Sequence, residues 1–64
     1  MVKSMDELLT DREAARLLNL KVQTLRNWRF QGRGPAYHKF GAAVRYAMED
    51  IKAYRDQSRV SPQQ

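Results

Sequence analysis

The chain contains no cysteine and only one histidine among its 64 residues. No disulfide can staple it, and a structural zinc site lacks its usual donors, so neither metal nor cofactor is expected. With no thiol chemistry to protect, the expected compartment is a reducing cytoplasm. No apolar run approaches the roughly 20 residues that span a bilayer. The opening Met1-Val2-Lys3-Ser4-Met5-Asp6-Glu7 turns acidic where a secretion signal needs its apolar stretch. The length leaves room for one small core and no separate sensor or catalytic domain. That core must suffice alone unless a partner adds to it. At 42% hydrophobic and 30% charged, the composition is that of a folded domain rather than a disordered one.

Acid is missing from the middle of the chain. The acids are Asp6, Glu7, Asp11 and Glu13, then Glu49, Asp50 and Asp56, with none between. The interval 14–48 instead holds Arg16, Lys21, Arg26, Arg29, Arg33, Lys39 and Arg45. The whole chain carries +5, but the bias is segmental, which is the electrostatic footprint of a protein that meets a polyanion. No helical stretch pairs a basic face with a broad apolar one, so a membrane surface is not the expected partner.

Thr10-Asp11-Arg12-Glu13 reads as a capping box, with hydroxyl and carboxylate each serving the other's backbone amide. A helix should follow over about 11–18, with Ala14, Ala15, Leu17 and Leu18 on its apolar face and Arg12 and Arg16 on the other. Asn19 suits a left-handed stop. Only Asn19, Leu20 and Lys21 separate this helix from the next periodic run, Val22 to Gln31, and so short a turn between two helices is a helix-turn-helix. Gly32-Arg33-Gly34-Pro35 ends the second helix. The period then becomes alternating: Tyr37 to Phe40, a loop at Gly41-Ala42-Ala43, then Val44-Arg45-Tyr46, a two-stranded hairpin. Met48 to Tyr54 is helical again, with Glu49 and Asp50 favourably placed in its first turn.

The expected fold is therefore mainly α with a small β-hairpin: a winged helix-turn-helix with a third helix. The expected organisation is a lead-in at 1–7, the domain at 8–56 and a flexible tail at 57–64. The expected core is Leu9, Ala15, Leu18, Leu20, Leu25, Trp28, Tyr37, Phe40, Val44, Tyr46, Ile51 and Tyr54.

On the second helix Leu25 and Trp28 face inward, while Gln23, Arg26, Asn27 and Phe30 fall on the other side. Arginine pairs bidentately with guanine, and asparagine and glutamine do so with adenine. Gln23, Arg26 and Asn27 are thus candidates for base edges, with Lys21 and Thr24 at the helix entrance on phosphates. Arg16, Arg33, Lys39 and Arg45 are candidates for holding the backbone, which positions a protein without reading sequence. Phe30 is the odd residue of this face: it either folds against the wing, the reading preferred here, or meets a neighbouring protomer. His38 reads as an exposed strand residue. The carboxylates are accounted for at helix starts, and no nucleophile elbow or phosphate-binding glycine loop is present, so catalysis is not expected.

Leu9-Thr10-Asp11-Arg12-Glu13-Ala14-Ala15-Arg16-Leu17-Leu18-Asn19-Leu20 resembles the opening of the small MerR-like winged-helix proteins grouped as excisionases and AlpA-type regulators. Thr24-Leu25-Arg26-Asn27-Trp28-Arg29, Gly32-Arg33-Gly34-Pro35, Val44-Arg45-Tyr46 and Asp50-Ile51 continue the likeness, which covers about residues 8–56. The resemblance implies a bacterial or phage protein of the cytoplasm that binds double-stranded DNA. Its second helix would enter the major groove, and its wing would approach the minor groove or the backbone. Small members of this group act as recombination directionality factors. They bind several sites beside an attachment site, bend or coat the DNA, and help an integrase (a tyrosine or serine recombinase) excise a prophage or mobile element. Others regulate transcription. The implied partners are double-stranded DNA, the integrase and further copies of the chain on DNA, with no small-molecule effector. A protein-binding adaptor that offers the basic face to an acidic partner is the reading from another class.

Three positions depart from the group's pattern. Lys21 stands where a small capping residue is usual, which forgoes a cap worth about 1 kcal/mol. Ala42 and Ala43 occupy the wing turn where basic residues are common. Ala47 precedes the third helix in place of a polar cap.

Overall fold

The computed structural model describes residues 7–62. Of the expected lead-in and tail, positions 1–6 and 63–64 lie outside the described residues. The element order is β1 (Leu8–Leu9), α1 (Asp11–Leu18), α2 (Val22–Phe30), β2 (His38–Phe40), β3 (Ala43–Ala47) and α3 (Met48–Gln57). This is the winged helix-turn-helix anticipated from the sequence, with one strand added.

The capping box starts α1 as expected. The Thr10 amide donates to Glu13 Oε1 at 2.9 Å, and the Glu13 amide donates to Thr10 Oγ1 at 3.1 Å. Asn19 ends the helix in the left-handed region, at φ 58° and ψ 45°. Its amide donates to the Arg16 carbonyl at 3.1 Å, and that of Leu20 donates to the Ala15 carbonyl at 2.8 Å. These two bonds form a Schellman motif, which satisfies carbonyls the helix would otherwise leave open. The same device ends α2. Gly32, at φ 75°, donates to the Arg29 carbonyl at 3.2 Å, and Arg33 donates to that of Trp28 at 2.8 Å. Gly34, at φ 94°, lies so close to Trp28 that an added Cβ would meet its Cβ and Cε3 at 3.1 Å. The Gly32–Pro35 punctuation thus folds the chain back over the tryptophan.

The sheet is larger than a two-stranded wing. Its order is β1-β3-β2, antiparallel throughout. The hairpin pairs Phe40 with Ala43 across Gly41-Ala42. Gly41 takes the first turn position at φ 63°, the sign a type II′ turn requires there. The extra strand, β1, sets Leu8 opposite Ala47 and Leu9 opposite Tyr46. The residue before it serves α3: the Met48 amide donates to the Glu7 carbonyl at 3.1 Å. Ala47 supplies no side-chain cap, and the backbone immediately before β1 provides this acceptor instead. α3 itself runs to Gln57, beyond the Tyr54 at which the sequence pattern stops.

The core lies where α1, α2, β3 and α3 converge. Ala14, Ala15, Leu25, Tyr46 and Ile51 are buried together, with Leu9, Leu18, Val22, Trp28 and Val44 packed against them. The alanines let α2 approach α1 closely. Trp28 meets Tyr54 with ring centroids 5.9 Å apart. Three expected core residues are exposed instead: Leu20, Tyr37 and Phe40, at 38%, 41% and 56%. Leu20 works through its amide in the Schellman motif, so its side chain is left on the rim. Tyr37 lays its ring beside Tyr46, at 6.0 Å, and leaves one side open. Phe40 sits on the edge strand β2, all of whose residues are exposed, and stacks on His38 at 6.1 Å. Leu17, placed on the apolar face of α1, is also 55% exposed.

Candidate nucleic-acid interface

The inward side of α2 is fixed by the fully buried Leu25 and the partly buried Val22 and Trp28. At about 100° per residue, the direction opposite Leu25 carries Gln23, Asn27 and Phe30, and Arg26 flanks them. The first three are exposed. Gln23 and Asn27 touch one turn apart: the Gln23 Nε2 amide donates to Asn27 Oδ1 at 3.0 Å. Each amide still has hydrogen-bonding capacity to present outward. Phe30 is 94% exposed. The expected contact between Phe30 and the wing is therefore absent, because its ring projects away from the body of the domain.

Arg26 is tied across the helical pair. Its Nε donates to Asp11 Oδ2 at 2.8 Å and its Nη2 to Asp11 Oδ1 at 3.5 Å. Hydrogen bonding from Arg26 holds the Asp11 carboxyl below its ordinary value; partial burial opposes this, while the charges of Arg26 and Arg29 reinforce it. The same contact raises the pKa of Arg26. Arg29, one turn on, is committed inward. Its Nη1 donates to the hydroxyl of the buried Tyr46 at 3.2 Å, and its guanidinium lies 5.7 Å from the Tyr37 ring centroid. Of the acid-free interval's cations, Arg29 thus pins α2 to the wing.

At the entrance of α2, Lys21 is exposed and no side chain caps the helix. Thr24 is half-buried and its amide donates to the Lys21 carbonyl at 2.9 Å. On α1, Arg16 is exposed, and with Arg12, Asn19 and Leu20 it lines a shallow depression beside the turn. Sequence reading had not nominated Arg12; its spacing of four from Arg16 was the available signal. Arg33 is exposed, with its guanidinium 5.5 Å from the Trp28 ring centroid. On the wing, Lys39 is exposed, while Arg45 is half-buried and donates to the Val44 carbonyl at 2.8 Å. Hence Gln23, Asn27 and Phe30 share one face, Arg26 leans from it toward α1, and Lys39 and Arg45 stand apart on the hairpin.

Among the described residues there is no cluster of metal-ligating side chains, and no helix is long and apolar enough to cross a membrane. Asp50 lies 3.8 Å from His38 Nε2, a contact between α3 and the wing.

A tight pair of helices whose second member turns polar groups outward, backed by a small β-wing, defines a winged helix-turn-helix, a fold that offers a helix to the major groove of double-stranded DNA. The profile of the family described as the helix-turn-helix domain matches residues 8–59. The chain belongs to that DNA-binding family, which includes excisionase and AlpA-type proteins. Searches of curated proteins and of solved structures returned no significant match.

Proposed function

We propose that this protein is an excisionase-type recombination directionality factor. It binds several adjacent sites beside an attachment site and bends or coats the DNA so that an integrase, a tyrosine or serine recombinase, excises a prophage or mobile element. It acts in the cytoplasm of the host cell. The DNA-binding unit expected at 8–56 is assigned to residues 8–57, because α3 continues through Gln57, and a tail follows it. Gln23, Arg26 and Asn27 read base edges from α2, and Lys21 and Thr24 hold phosphates at its entrance. Arg16, Arg33, Lys39 and Arg45 hold the flanking backbone.

Phe30 carries the architectural part of this reading. A helix of nine residues spans few base pairs, so one module gains limited affinity, and copies placed side by side supply the rest. An aromatic ring 94% exposed at the end of that helix supports a contact between neighbouring protomers on DNA. The cations of the interval 14–48, with no acid among them, support the duplex as the surface on which they assemble.

The test is a footprinting titration at fixed salt on DNA from the protein's own locus and any adjoining attachment site. Protection that spreads cooperatively over adjacent repeats is the expected result. A single short footprint over a promoter replaces this reading with a transcription regulator of AlpA type. No protection above non-specific background favours the protein-binding adaptor.

A further inference from the structure

We infer that Asp11 is a positioning residue that sets the Arg26 guanidinium to read guanine in the major groove. The inference rests on the reading that the outer side of α2 faces DNA, and it assigns a specificity role to a residue outside that helix.

A guanidinium has two edges that each present a pair of parallel N–H groups. Asp11 takes the edge formed by Nε and Nη2, at 2.8 Å and 3.5 Å. The adjacent end-on edge keeps parallel N–H groups, one on Nη1 and one from the second hydrogen of Nη2. That edge is the one whose spacing matches O6 and N7 of guanine. The arginine side chain is 41% exposed and the carboxylate 19%, so the acid is the inner member of the pair and the guanidinium the outer. The support is itself rigid. Asp11 is the first residue of α1, directly after Thr10, whose capping box fixes where the helix begins. An unsupported arginine must surrender rotamer freedom when it docks on a base. One already held by a carboxylate surrenders less.

A plain surface ion pair makes the opposite prediction. An acid near the phosphates repels DNA, so removing it should tighten binding to every duplex without regard to sequence. If Asp11 positions Arg26, its removal tightens or preserves non-specific binding while weakening the choice of one base. The two readings therefore separate in the ratio of specific to non-specific affinity.

The experiment is selection from randomised duplexes with the wild-type chain, Asp11→Ala, Asp11→Asn, Arg26→Ala and Asn27→Ala, each first checked for cooperative thermal unfolding. Wild type is expected to enrich a motif with a guanine that Arg26→Ala no longer prefers. Asp11→Ala should lower the preference for that same guanine by about 10-fold and leave the other positions unchanged. Its affinity for random-sequence duplex should not fall. Replacing the guanine by 7-deazaguanine, which lacks the N7 acceptor, should weaken wild type and leave Asp11→Ala nearly unaffected. Asp11→Asn keeps the side chain's size and answers the same question should the alanine variant unfold. Retention of the guanine preference in both Asp11 variants, or an equal loss at every position, overturns the inference while leaving α2 as the reader. If Arg26→Ala and Asn27→Ala both enrich the wild-type motif, the reading of α2 itself fails, and the inference with it.

Discussion

The helix α2 and the wing β2–β3 hold their outward side chains in different ways. On α2, Gln23 is bonded to Asn27 and Arg26 to Asp11, so the polar groups are fixed before any partner arrives. On the wing, Lys39 is exposed and Arg45 donates to the carbonyl of its own neighbour Val44, while the turn itself is Gly41-Ala42. Reading a base edge requires donors set in place, whereas holding a phosphate tolerates a loosely placed charge. The difference supports the proposed division of labour, in which α2 selects sequence and the wing attaches to the backbone. Arg29 joins the two, bonded to Tyr46 on β3 and lying over the Tyr37 ring.

The largest effect is expected where α2 loses its seat. Leu25 is fully buried at the centre of the core, so Leu25→Ala is expected to cost about 2–5 kcal/mol, which unfolds much of so small a domain. Phe40→Ala on the edge strand should cost far less, and thermal unfolding of the two variants measures the contrast. Next comes the junction between the regions. Gly34→Ala forces a left-handed residue against Trp28 and is expected to cost about 1–3 kcal/mol in the same measurement.

Lys39→Ala and Arg45→Ala should act on attachment alone. Each should weaken binding about equally for all sequences and reduce the slope of log affinity against log salt by about 1. Titration over a salt series on specific and random duplexes checks this.

Acid should loosen the Asp11–Arg26 bond. The folded-state pKa of Asp11 lies below its ordinary value, chiefly through the hydrogen bond from Arg26. Its contribution to stability is therefore complete above the ordinary carboxylate pKa and is lost as pH falls through the lowered one. Asp11→Asn should flatten that acid-side fall in a pH series of thermal unfolding. The smallest effect on stability is expected at Phe30, where Phe30→Ser should change unfolding by no more than about 0.5 kcal/mol. The same variant should abolish cooperative loading on adjacent sites, read in a footprinting titration.

The helical pair was legible because its signals are local. Thr10 and Glu13 stand three apart and cap each other, and Asn19 and Gly32 mark the two left-handed stops. β1 was not legible, because two leucines carry no alternation and become a strand only by pairing with Tyr46 and Ala47, far along the chain. The burial of Tyr37 and Phe40 was overestimated for a related reason: hydrophobicity does not show which strand lies at the sheet edge. At the site, residue types and the outward placement of Gln23 and Asn27 follow from helical spacing. The partners of Arg26 and Arg29 do not, since Asp11 and Tyr46 lie 15 and 17 positions away and depend on how the elements cross.

The most direct test of the central claim, that the outer side of α2 selects sequence, is the affinity of the double variant Gln23→Ala/Asn27→Ala for a selected duplex and for a random one across a salt series. Both side chains are exposed and uncharged, so the variant should fold normally and keep the wild-type salt slope. The account predicts that its preference for the selected duplex collapses toward the random value while random-duplex affinity stays unchanged. A preserved preference, or an equal loss on both duplexes, would contradict it.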